Sequence, residues 1–300
     1  MKNIIQNKEE GRLRSGWRIL GFLILFWAFA NLVFLAKSFF PDITKKEFIE
    51  GYSLLIVSIL AIAATASVLI SRKLLDKKSF RSLGLKLNKN ALKDIAFGFL
   101  LSALMAGTFF LVLISFDLIE FEGINFNETV TGEGFVNLMS VFSLASMLLL
   151  LLETVLVGYW EELVFRGYLL QNMVHGLGLK LAVVISCILY GLIHASNPNA
   201  TILSSVIIVA FGFLRIYGYL TTQMLWLSIG MHIGWNFFQG PIFGFAASGH
   251  ASATLIQHSF TSEKSYLTGG EFGPEGSIII LPILLITLFV MRWYAIKISK

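Results

Sequence analysis

A chain of 300 residues with 56% hydrophobic and only 14% charged residues is far more apolar than a soluble domain. Its net charge of +5 needs no nucleic-acid partner, because the basic residues fall where membrane topology and anionic headgroups account for them. The single cysteine, Cys187, lies in an apolar run, which excludes a disulfide framework or thiolate metal cluster and reads as a buried, inert thiol.

Apolar runs at 17–35, 52–71, 95–116, about 141–170, 179–195, 200–219, 222–245 and 278–296 give eight candidate spans. Most are close to the roughly 20 residues needed to cross a hydrocarbon core about 30 Å thick. None alternates as a barrel strand does, so each reads as a helix that satisfies its own backbone. The sequence therefore predicts an all-α, polytopic membrane protein: a tail at 1–16 and one transmembrane domain at 17–300.

In chain order, the first run follows Lys2, Lys8, Arg12, Arg14 and Arg18 and reads as a true span, since it is long and lacks a small-residue cleavage site. The segment after the second run holds Arg72, Lys73, Lys77, Lys78, Arg81, Lys86, Lys89 and Lys93. The next loop has no Lys or Arg and instead carries Asp117, Glu120, Glu122, Glu128 and Glu133. With Arg166, Lys180, Arg215, Arg292, Lys297 and Lys300 assigned to the side of the tail, and only Lys37, Lys45, Lys46 and Lys264 opposite, both termini are expected to be cytoplasmic. The sequon at Asn127, Glu128 and Thr129 reads as chance, and 246–277 as an external loop without a fold of its own. A cell-membrane protein is expected, as in a bacterial plasma membrane.

Ionisable groups at membrane depth mark sites, with structural ion pairs as the competing explanation. Four places qualify: Glu153, the cluster Glu161-Glu162-x-x-x-Arg166, His194, and His232 with Asn236. Glu162 and Arg166, four apart on one helix face, should pair; Glu161, rotated by about 100°, is the less neutralised and the better candidate base. The alternative makes all three one buried network that holds helices together. His194 follows Tyr190 by one turn, with Gly191 between them for close helix approach; alone it is as readily explained by a bond to a carbonyl. Ser228, His232 and Asn236 recur every four residues, with Gln239 beyond and Gly230 and Gly234 beside them, so this polar stripe faces protein or trapped water. Counting from helix ends assumed near Leu179, Leu220 and Asn172, His194, His232 and Glu161 come out roughly 15–23 Å deep and able to meet. A carboxylate, two imidazoles and an amide form a hydrolytic set. His175, His250 and His258 read as surface residues.

The three pieces, Glu161-Glu162-x-x-x-Arg166, Tyr190-x-x-x-His194 and His232-x-x-x-Asn236, in this order over about 147–240, resemble the CPBP family of intramembrane proteases, which includes CAAX proteases and bacteriocin-processing (Abi-like) enzymes. The resemblance implies that Glu161 and His194 activate water, that His232 and Asn236 form the oxyanion hole, and that Glu162 and Arg166 support the site. The family's second motif usually begins with Phe; here Tyr190 keeps the ring and adds a hydroxyl that needs a partner. Zinc held by Glu161, His194 and His232 is an open possibility, but there is no H-E-x-x-H and Asn is a poor zinc ligand, so no cofactor is assigned. No G-x-S-G or G-x-G-D supports a rhomboid-like or aspartyl protease. The implied activity is hydrolysis of a membrane-associated peptide or protein. The alternative is a non-catalytic membrane protein, such as an immunity factor, scaffold or small-solute carrier, that uses the same polar residues for packing.

Overall fold

The computed structural model of the chain describes residues 4–7, 9–126 and 143–298. The sequon at 127–129, Glu128, Glu133, and the first residues of the fourth apolar run lie outside the described residues. A short hairpin, β1 (Gln6–Asn7) and β2 (Arg12–Leu13), precedes α1 (Ser15–Ala30) and α2 (Leu32–Ser38), which together form one apolar rod of 24 residues. The short α3 (Lys45–Gly51) opens with a capping box, in which Thr44 accepts from the Glu47 N–H and the Glu47 carboxylate accepts from the Thr44 N–H. The chain continues with α4 (Ser53–Leu74), α5 (Ala91–Ser115), β3 (Ile119–Ile124), α6 (Leu144–Glu162) and α7 (Leu170–Leu177). A π-helical segment, Leu163–Leu169, joins α6 to α7 without a break. After Gly178, whose φ of +79° lets the chain reverse, come α8 (Leu179–His194), α9 (Ile202–Thr222) and α10 (Trp226–Phe237). A second π turn (Phe238–Ile242), β4 (Ile256–Phe260), the single turn α11 (Ser265–Thr268) and α12 (Ile280–Ile298) complete the order.

The fold is all-α and polytopic, and every one of the eight apolar runs contains a helix. Five helical rods, at 15–38, 53–74, 91–115, 202–222 and 280–298, are long and apolar enough to cross a membrane. The expected count of eight crossings is not reached by that measure: α8 has 16 residues and α10 only 12, and α6 carries Glu153, Glu161 and Glu162. Of these, α10 is enclosed by protein along almost its whole length, which relaxes the length that lipid demands of the others, whereas α6 and α8 keep exposed apolar faces. Where helices do face outward, large apolar side chains stand exposed, as at Trp27, Leu104 and Phe289.

Glycines set the central packing. α10 lies between α5, α6 and α9. A Cβ added at Gly230 would stand 2.3 Å from the Ile95 carbonyl oxygen, one at Gly234 2.6 Å from that of Phe99, and one at Gly191 2.7 Å from that of Ser205. Three expected small-residue contacts are thus real backbone approaches.

A buried polar junction fastens α1, α4 and α7. Asp76, just beyond α4, receives Arg18 at 2.9 Å, Arg72 at 2.7 Å and the Asn172 amide at 3.3 Å. His175, expected at the surface without a role, extends this junction: its Nδ1 lies 2.9 Å from Arg18 and its Nε2 2.7 Å from Glu10 in the N-terminal hairpin. Glu153 accepts from the Ser53 hydroxyl at 3.0 Å and so joins α6 to the first residue of α4.

Two expectations are corrected. The stretch 246–277 is not a structureless loop: β4 pairs antiparallel with β3, and the turns Gly270–Phe272 and Pro274–Gly276 fold inward with Phe272 and Glu275 buried. Arg166 and Arg215, counted with the tail side by charge, are 1% and 3% exposed inside the bundle. His258 packs in β4 against Phe245, ring centroids 4.5 Å apart, so it too is more than a surface residue.

Candidate active site

Glu162 is fully buried and organises the site. Its Oε1 lies 3.1 Å from Arg166 Nη1, one turn along the same chain, as the four-residue spacing requires. The same oxygen lies 2.9 Å from His232 Nδ1 on α10 and 4.0 Å from Arg215 Nε on α9. A carboxylate can only accept, so the imidazole donates from Nδ1 and presents its other nitrogen inward. That nitrogen, Nε2, is 3.8 Å from Glu161 Oε2. The gap is too long for a direct hydrogen bond and suits one bridging atom.

Glu161 is held differently. Tyr190 donates its hydroxyl to Glu161 Oε2 at 2.9 Å, while the same hydroxyl accepts from Arg215 Nη1. Tyr190 is also stacked: the Arg166 guanidinium lies 4.3 Å from its ring centroid, and Phe165 meets it edge-on at 5.1 Å. The Glu161 side chain keeps 13% exposure, in contrast to the sealed Glu162. Formal charge cancels, with two carboxylates facing two guanidiniums.

His194, at the C-terminal end of α8, donates from Nδ1 to the Tyr190 carbonyl at 2.8 Å. A carbonyl cannot donate, so the tautomer is set and Nε2 is left as an acceptor. Its ring lies 4.5 Å from that of Tyr190, which connects it to Glu161 through one residue. Asn236 follows His232 by one turn of α10; its half-buried side chain engages no other described residue. Ser228, one turn before His232, donates to the Arg215 carbonyl at 2.7 Å and so joins α10 to α9. His232 sits six residues into α10, about 9 Å along its axis, because that helix begins at Trp226 and not near Leu220 as the depth count assumed.

The structure thus brings Glu161, Glu162, Arg166, Tyr190 and His232 into one bonded cluster, with His194 attached through Tyr190 and Asn236 beside His232. Sequence reasoning missed Arg215, although an arginine within the run FGFLRIYGYL was itself a signal. Among the described residues no three His, Cys, Asp or Glu side chains are grouped closely enough to hold a metal ion as they stand.

The chain is 28% identical over 182 residues to the uncharacterized protein YyaK of Bacillus subtilis (strain 168), a match spanning 58% of this chain and about 56% of that protein's length. Residues 143–238, from the N-cap of α6 to just past Asn236, match the family described as Rce1-like, type II CAAX prenyl endopeptidase Rce1-like. The matched stretch takes in Glu161, Glu162, Arg166, Tyr190, His194, His232 and Asn236.

Proposed function

We propose that the chain is an intramembrane endopeptidase that hydrolyses a peptide bond of a membrane-associated peptide or protein. The observation that carries this reading is the 3.8 Å gap between Glu161 Oε2 and His232 Nε2, with the Tyr190 hydroxyl holding the carboxylate in place. In the proposed reaction Glu161 takes a proton from water, oriented by His194, and the water oxygen adds to the scissile carbonyl carbon. In this reading His232 is doubly protonated, keeping its Nδ1–H on Glu162, so that its Nε2–H and the unengaged Asn236 amide donate to the oxyanion as it forms. Collapse breaks the C–N bond, and the proton held by Glu161 passes to the leaving nitrogen. Glu162, Arg166 and Arg215 keep His232 and Tyr190 in register. No step passes through a metal.

The substrate class proposed is a membrane-anchored peptide; the description of the matched family makes prenylated CAAX peptides the first to try, and bacteriocin precursors form a second, separate set. The test is cleavage of such peptides by the purified chain in lipid, with Glu161→Ala and His194→Ala alongside, each with and without a chelator. Wild type is expected to cut regardless of chelator, and both variants to lose at least about a hundredfold in rate. Equal cutting by all three forms would refute the assigned site, and loss of wild-type cutting on chelation would refute the metal-free chemistry.

A further inference from the structure

Four hydrogen bonds run in series from α10 to α8 through the segment between the second π turn and α12. Trp235, the residue before Asn236, donates its indole N–H to Glu275 Oε1 at 2.9 Å. Glu275 Oε2 accepts from the Ser248 hydroxyl at 2.5 Å. The Ser248 carbonyl accepts from the Asn197 side-chain amide at 3.0 Å, and the Asn197 backbone N–H donates to the carbonyl of His194 at 3.1 Å. Glu275 and Trp235 are 3% and 1% exposed, so the charged acceptor at the centre of the series is shielded from water and its bonds are strong.

The segment is fixed in this course by its glycines. Gly249 and Gly273 have φ of +85° and +94°; a Cβ at the first would stand 2.0 Å from the Pro198 carbonyl oxygen, and at the second 1.9 Å from that of Ala246. α9 packs against both α8 and α10, whereas these two histidine-bearing helices share no extended contact of their own. Their relative placement at this end of the site therefore depends on what bridges them.

We propose that Glu275 is a positioning residue: through Trp235 on one side and Ser248 with Asn197 on the other, it sets where His194 stands relative to His232 and Asn236. The structural half of this statement stands alone, and the catalytic half rests on the protease reading above. Glu275 touches no reacting atom; it acts through the hydrogen bonds it accepts. A glutamine can accept from Trp235 and donate to Ser248, so shape and bonding predict that Glu275→Gln is tolerated and Glu275→Ala is not.

The experiment compares the full chain in lipid nanodiscs with Glu275→Gln, Glu275→Ala and Ser248→Ala, by backbone hydrogen exchange and by peptide cleavage. In Glu275→Ala, exchange is expected to rise at 194–200 and at 246–250 together, while Glu275→Gln stays close to wild type. On a cleaved peptide, kcat of Glu275→Ala is expected to fall between about ten- and a hundredfold with KM unchanged, and Glu275→Gln to restore most of it. If Glu275→Ala does not fold, Ser248→Ala breaks the series at one hydroxyl and is expected to loosen 194–200 alone of the two helix ends. Faster exchange confined to 269–277, or a Glu275→Gln variant as impaired as Glu275→Ala, would overturn the proposal. If the wild type cuts no peptide, the protease reading falls, while the exchange comparison still decides the role of Glu275.

Discussion

Tyr190 uses both capacities of its hydroxyl, donating to Glu161 and accepting from Arg215, while its ring face carries Arg166. Tyr190→Phe keeps the stacked ring and strands one carboxylate and one guanidinium. Unfolding in detergent should show a loss of about 1–3 kcal/mol, and peptide cleavage should slow through kcat. Arg166→Met makes a harsher change, because it leaves Glu162 as a buried charge without its closest guanidinium; the expected loss is about 3–5 kcal/mol by the same measurement. Of these bonds, the Glu162–Arg166 pair was legible from its four-residue spacing alone, and the need of the Tyr190 hydroxyl for a partner was legible from its chemistry. Arg215 was not, because a positive charge beside an assumed helix end looks like a topology signal. Only the packing of α9 against α8 shows that it points inward.

Among the elements, α10 is the shortest helix that carries the site and the one most dependent on its neighbours. A Cβ at Gly230 would meet the Ile95 backbone, whereas Gly107 on α5 has only the Phe243 ring tip at 3.5 Å. Gly230→Ala is therefore expected to cost at least about 1–3 kcal/mol by forcing α5 and α10 apart. Gly107→Ala should be neutral or stabilising by up to about 1 kcal/mol, since it only restricts the unfolded chain. Thermal unfolding of the two variants side by side checks the pair. The N-terminal hairpin offers a pH test: hydrogen bonds from Arg12 and His175 hold the Glu10 carboxyl down to about 2, from the ordinary 4.5. A lowered carboxylate stabilises fully above about pH 4.5, and that stability is lost as the pH falls through about 2. Hydrogen exchange at residues 9–14, corrected for its intrinsic pH dependence, should thus begin to rise below about pH 4.5 and level off near pH 2. Runs of apolar residues made every long helix legible. The folding of 246–277 was not, because its Gly, Ser and Thr content reads as loop, while its order comes from contacts with β3, the turn after α8, α9 and α10 that no local pattern encodes.

For the molecule as a whole, Asp76 is the point where α1, α4 and α7 are tied together, and two guanidiniums depend on it. Asp76→Ala is expected to destabilise the protein by about 3–5 kcal/mol and to loosen α1 before α5 and α10, as read by the order in which their amides exchange. The same junction gives the π segment Leu163–Leu169 its importance. On one side of it Glu161 and Glu162 face the site; on the other Asn172 faces Asp76. An α-helix advances about 100° per residue, so the wide π turn acts as a phase adjuster, and both ends are correctly clocked only while it is wide. Deleting one residue from 163–169 would let the segment relax to an ordinary helix and swing one end by about a quarter turn against the other. The chain would then have to choose between its anchor and its chemistry.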